Sequence, residues 1–202
     1  WGVAANDTIL LLAEQLGGHV QVPGAIVADV ATPASQDVAQ PYMLMSAVSS
    51  DAMSADKASS RWLGRVSENT RISAAVIDLL VDHHDRKLSN VMVTEQGEVS
   101  LVDPDSVFGA KSSAYRSSFF PGERLGYSSQ MTSAKDLPWQ ARDLIDALTS
   151  ATVAEIQGTY GISAEQALGM QQRAKLVQDH GLTSAIARHV ATLKTKRDTS
   201  RD

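Results

Sequence analysis

Apolar positions along the chain come in short runs whose period changes several times. From Asn6 to Gly18, "NDTILLLAEQLGG" has a leucine-rich middle between polar ends. That pattern predicts a helix, with Asn6 or Asp7 capping its first turn and two glycines stopping it. A Pro-Gly turn and the β-branched run after it predict a strand at Ala25–Val30, and "PYMLMSAV" (Pro41 to Val48) predicts a second strand beyond a polar loop. "SSDAMSADKASS" is small and polar and reads as a loop or a helix start. Ile72, Val76, Leu79 and Leu80 share one helical face, so Ser67 to Asp82 is a predicted helix. "NVMV" and "EVSLVD", separated by "TEQG", predict a hairpin with Gly97 at its turn.

From Pro104 to Leu137 no period persists, and serine, glycine and aromatic residues dominate. A loop of that length inside a domain is usually functional or mobile. Beyond Pro138 the pattern is helical: "PWQARDLIDALTS" has proline in its first turn, and Ser163 with Glu165 and Gln166 approximates a capping box.

Composition narrows the class. The chain has 202 residues, 43% of them apolar, which is enough for a substantial core and argues against wholesale disorder. A net charge of -5 disfavours nucleic acid or an anionic membrane as a partner held by bulk electrostatics. The chain contains no cysteine, so disulfides and thiolate metal sites are excluded while the compartment stays open. No apolar run approaches the roughly 20 residues of a membrane span.

Candidate chemistry concentrates in "LLVDHHDRKLSNVMVTEQGEVSLVDPDSVFG" (Leu79 to Gly109). Asp85, Asn90 and Asp103 are spaced five and thirteen residues apart. With Asn90 opening the first strand of the hairpin and Asp103 closing the second, their side chains are expected to meet at one end of it. Hard oxygen ligands of this kind suit Mg2+ or Mn2+, which keep several waters and bind substrate phosphates. Asp85 is then placed to orient an attacking hydroxyl, and Lys87 to meet a phosphate oxygen.

This set resembles the phosphoryl-transfer template. "HHDRKLSN" is similar to the protein-kinase catalytic loop H-R-D-L-K-P-x-N, with His83, Asp85, Lys87 and Asn90 on its polar positions, and "LVDPD" takes the place of the strand ending in D-F-G, with Asp103 on its aspartate. The pairing with "SLVDPDSVFG" also resembles the D-R-H-x-x-N … I-D-x-G-x-x-F-G pattern of HipA-type, phosphatidylinositol and secretory-pathway kinases. There Asp85-Arg86 matches the D-R pair and Phe108-Gly109 the closing F-G. "NDTILLLAEQLGGHVQVP" is similar to the helix C region of HipA-type and aminoglycoside kinases, and "PYMLMSAV" to the strand leading to the nucleotide hinge.

The resemblance implies an α+β, protein-kinase-like fold: a partial N-lobe over residues 1–48, and a mostly helical C-lobe with a catalytic β-hairpin over residues 49–202. It implies ATP-dependent phosphate transfer to a hydroxyl of a protein, lipid or small molecule. Asp85 and Lys87 would be catalytic, Asn90 and Asp103 would hold Mg2+ (or Mn2+), and Met45, Ala47, Val48 and Lys87 would line the nucleotide site. Asp7 or Glu14 is the helix C acid it calls for. Lys87 departs from the histidine of the D-R-H branch, and Pro104-Asp105 replaces Phe-Gly. The match covers roughly residues 4 to 180 and contains no glycine-rich phosphate loop and no V-A-I-K-type strand, as expected of a fragment, a reduced relative or an inactive one.

Other readings stand beside this one. A kinase-like scaffold without catalysis fits the missing phosphate loop. A small-molecule kinase fits the "LG…VP" region. His83 and His84 side by side are compatible with a metal phosphohydrolase, and Asp103-Pro104-Asp105 with the D-x-D of a manganese glycosyltransferase. For His83 itself, packing and hydrogen bonding within the loop is the expected role. "SAYRSSFFPGERLGYSS" reads either as a substrate-facing segment or as a loop covering the large lobe.

Overall fold

A computed structural model of the chain describes residues 2–30, 40–45, 48–83, 85–103, 107–108 and 116–199; of these, the side chains of residues 2–4, 25–30, 40–45, 116 and 194–199 are also outside the description. The architecture is α+β, with helices outweighing a small antiparallel sheet.

The chain opens with α1 (Gly2–Gln15) and then forms β1 (Ala25–Val30) and β2 (Gln40–Met45), paired antiparallel from Ala25↔Met45 to Val30↔Gln40. The helix begins earlier than its sequence suggested, so Asn6 caps nothing. It lies inside the helix, fully buried, and its Nδ2 donates to the Pro23 carbonyl at 2.8 Å, which pins the following turn to the helix. Gly17 and Gly18 stop α1 in left-handed conformations. The second strand ends at Met45, short of the expected Val48; Ala47 lies outside the described residues.

A short strand, β3 (Met53–Ser54), sits inside the stretch expected to be a loop or a helix start, and α2 (Ser60–Arg65) begins at its end. Then comes α3 (Glu68–Leu80), with Ser67 as its cap. Every residue from Ile72 to Val81 is buried, so α3 is the central strut, packed against α1 and the helix at Ala164–Thr199. Its last turn leads into β4 (Asp85–Arg86), a single 3-10 turn (Leu88–Asn90), and the hairpin β5 (Val91–Val93) and β6 (Val99–Leu101). β3 adds to β5, giving the order β3-β5-β6, and Gln21 bridges to Ser100 on the far side of β6. Gly97 turns the hairpin at φ +88°, where a Cβ would fall 2.5 Å from the Arg65 carbonyl oxygen. Only glycine fits such a position.

Among the described residues of the long irregular segment are a short strand, β7 (Arg116–Ser117), which pairs parallel with β4, and a 3-10 turn at Ala134–Asp136. Although aperiodic, the segment from Ser117 on is not a solvated loop: Phe119, Phe120, Leu125, Tyr127 and Met131 are buried in the main core. Of the two readings of the aromatic-serine stretch, this part of it covers the helical body.

Three helices finish the chain: α4 (Trp139–Ser150), α5 (Val153–Tyr160) and α6 (Ala164–Thr199). The box at Ser163 is closed by Gln166, whose N–H donates to Ser163 Oγ while its Oε1 accepts from the Ser163 N–H. Gly181 breaks α6 at φ +72°. The break lets the backbone at Met131–Ser133 pass close by and shifts the buried face from Ala167, Met170, Ala174 and Val177 to Leu182, Ala185 and Ile186. No helix among the described residues is long and apolar enough to cross a membrane.

Candidate functional site

The loop between α3 and the hairpin begins with a backbone reversal. Asp82 takes φ +51°, and its carboxylate lies 2.7 Å from His189 Nε2 on α6. The carbonyl of Leu80, left open at the end of α3, accepts from Arg173 Nε and Nη2 at 3.0 and 2.8 Å. Two side chains of α6 thus hold the point where the loop leaves the helix. His83 is completely buried, and its Nδ1 accepts from the Asp85 N–H at 3.2 Å. His84 lies outside the described residues.

From here the side chains alternate as a strand requires. Asp85 faces outward, Arg86 inward, and Lys87 outward with 64% of its side chain exposed. Lys87 Nζ sits 2.8 Å from Asp85 Oδ2. The bond to Asp85, the charge of Asp85 and the more distant charge of Asp103 together push the Lys87 ammonium above its ordinary pKa.

Asn90 and Asp103 meet as their spacing suggested. Asn90 Nδ2 donates to Asp103 Oδ2 at 3.1 Å and to the Asp85 carbonyl at 3.1 Å. Below them the hairpin is closed by the Val102 N–H donating to the Asn90 carbonyl at 3.1 Å. Asp103 is turned toward Asn90 by a left-handed backbone, φ +58°, a conformation that aspartate tolerates better than most residues and that a mere strand end does not need. Asp85, Lys87, Asn90 and Asp103 therefore form one solvent-facing rim. Of the expected nucleotide-side residues, Val48 is half-buried in the coil leading to β3, while Ala47 and the Met45 side chain lie outside the described residues. So do Pro104, Asp105 and Gly109. Asp7 and Glu14 are both exposed on α1.

Beneath the rim lies a group that the sequence did not announce. Asp78 and Arg86 are 0% and 1% exposed, with Nε 3.2 Å from Asp78 Oδ1. Arg86 Nη1 donates to the carbonyls of Val102 at 2.7 Å and Asn90 at 3.3 Å. Ser117 Oγ donates to the other Asp78 oxygen at 2.6 Å, and Ser118 donates through both N–H and Oγ to the Arg86 carbonyl. Burial pushes the Asp78 carboxyl up, against the opposing pull of Arg86 and Ser117. The one available signal was Asp78 itself, a lone carboxylate between Ile77 and Leu79 on an apolar helix, which must find a partner once buried.

Among the described residues no three His, Asp or Glu side chains are placed to share a metal ion. The donors at the rim are instead one carboxylate and one amide, with a second carboxylate nearby. The sequence matches no family model and no curated protein at a significant level.

Proposed function

We propose that the chain is a kinase-like phosphotransferase domain, carrying phosphate from ATP to a hydroxyl, with residues 1–48 as part of an N-lobe and 49–202 as the C-lobe. The contact between Asn90 and Asp103 at 3.1 Å, on the same rim as the Asp85–Lys87 pair, carries this reading. Four polar residues that the phosphoryl-transfer template needs in one place, drawn from a loop and both ends of a hairpin, lie together there.

The donor chemistry fits a divalent cation. The Asp103 carboxylate and the Asn90 amide oxygen are hard donors at an open edge, where a Mg2+ or Mn2+ ion can keep its waters. The amide now turns Nδ2 toward Asp103, and a half-turn about its last torsion presents Oδ1 instead. Such an ion would neutralise phosphate charge. Asp85, half-exposed, is available to orient or deprotonate the acceptor hydroxyl. Lys87, held protonated by Asp85, supplies a positive charge to the transferring phosphate. For the nucleotide, Met45, Ala47 and Val48 remain the candidates on sequence grounds alone.

Thermal shift with Mg2+ and ATP tests the proposal. A rise in Tm that needs both components, and that Asp103→Ala abolishes, is the expected result. A chain that gains nothing from Mg2+ and ATP together would instead support the scaffold reading.

A further inference from the structure

We propose that the buried trio Asp78, Arg86 and Ser117 positions the rim, with Arg86 holding the two hairpin ends that carry Asn90 and Asp103 and Ser117 tying that hold to β7. The inference rests on the reading of the rim as a cation and phosphate site.

The connectivity carries it. One guanidinium joins three segments: α3 through Asp78, the start of β5 through the Asn90 carbonyl, and the end of β6 through the Val102 carbonyl. Asn90 is itself a rim residue and Val102 is the neighbour of Asp103, so a shift of Arg86 moves both donors. The pairing of β4 with β7 sets Asp85↔Arg116 and Arg86↔Ser117, so the segment that supplies Ser117 is also the strand that straightens the loop bearing Asp85.

Stability alone is a poor explanation for the pair. Taking both charges out of water costs as much as their attraction returns, and apolar replacements of similar volume are often neutral or better. Arg86 Nη2, moreover, is buried with no hydrogen-bond partner among the described residues. What an apolar pair does not reproduce is the grip on two hairpin carbonyls.

That difference supplies the test. The full chain is prepared as wild type, as the double variant Asp78→Leu/Arg86→Met, and as Ser117→Ala. Each is followed by urea unfolding, by Mn2+ binding from water-proton relaxation, and by the NMR signals of the Asn90 side-chain amide, identified by their loss in Asn90→Ala. The double variant is expected to unfold near the wild-type midpoint, to bind Mn2+ roughly 10- to 100-fold more weakly, as when groups behind metal ligands are removed, and to lose the hydrogen-bonded position of the Asn90 amide. Wild-type Mn2+ affinity together with wild-type Asn90 signals in the double variant would overturn the inference. If the double variant does not fold, Ser117→Ala decides on the same two readouts, with a severalfold loss of Mn2+ affinity and displaced Asn90 signals expected and unchanged values overturning it. If wild type binds no Mn2+ but the Asn90 signals still move in the variants, the phosphotransfer reading falls and the positioning role stands.

Discussion

Asp85, Arg86 and Lys87 are consecutive charged residues with opposite fates. Asp85 and Lys87 pair with each other at the surface, whereas Arg86, between them, is 1% exposed and spans three segments of the fold. A two-residue strand is enough to cause this, because period-two alternation sends neighbours to opposite faces. The consequence is a division of labour across the loop. Water screens the outer pair and leaves it free to exchange partners. The inner pair has no such freedom, since each of its charges depends on the other.

Substitutions can break that contrast, and the largest effect belongs to the inner pair. Asp78→Ala leaves the Arg86 charge buried without its counterion and is expected to cost about 3–5 kcal/mol in urea unfolding. A loss comparable to that of a surface substitution would mean that the pair is solvated and the contrast false.

A smaller effect is expected at Glu68, which lies between the extremes. Its partial burial favours the neutral acid, but hydrogen bonds from Ser128 and Ser129 outweigh this and hold the carboxyl below its ordinary pKa. A carboxylate depressed in the folded state stabilises fully above its unfolded value, 4.5, and loses that contribution as pH falls through the folded value. Glu68→Gln should therefore destabilise the chain at neutral pH, and the gap to wild type should narrow below pH 4.5 in pH-dependent urea unfolding. A gap that stays constant down to acid-unfolding would show that Glu68 acts through packing instead.

The smallest effect on stability is expected at the rim. Lys87→Ala should leave the urea midpoint within repeat error, because its side chain is largely exposed and a surface ion pair of this kind adds little stability. The same variant should weaken the Mg2+-dependent Tm rise with ATP. A Lys87→Ala chain as unstable as Asp78→Ala would erase the distinction between the two faces.

Much of this could be read from the residues because it is local. The Ile72, Val76, Leu79 and Leu80 stripe marked α3, Gly97 marked the hairpin turn, and the spacing of Asn90 and Asp103 followed from a hairpin joining its own ends. Errors came where a distant partner overrode a local preference. Asn6 looked like a cap but serves Pro23, and Met53–Ser54 looked like loop but adds a strand to β5. The buried aromatic segment after β7 has no period because contacts to distant helices set its course, Ser128 with Glu68 and Tyr127 and Met131 with Thr183.

By itself, then, the order of residues determined the long helices, the hairpin and the polar groups at its open end, since these depend on contacts between near neighbours and on backbone preference. Only the tertiary structure decided that Asp78 would face Arg86, that Ser117, 39 positions beyond Asp78, would close on them, and that α6 would hold the loop through Arg173 and His189. Such pairings are chosen by burial: a charge removed from water takes whichever partner the packing brings within reach, and no periodicity along the chain records that choice.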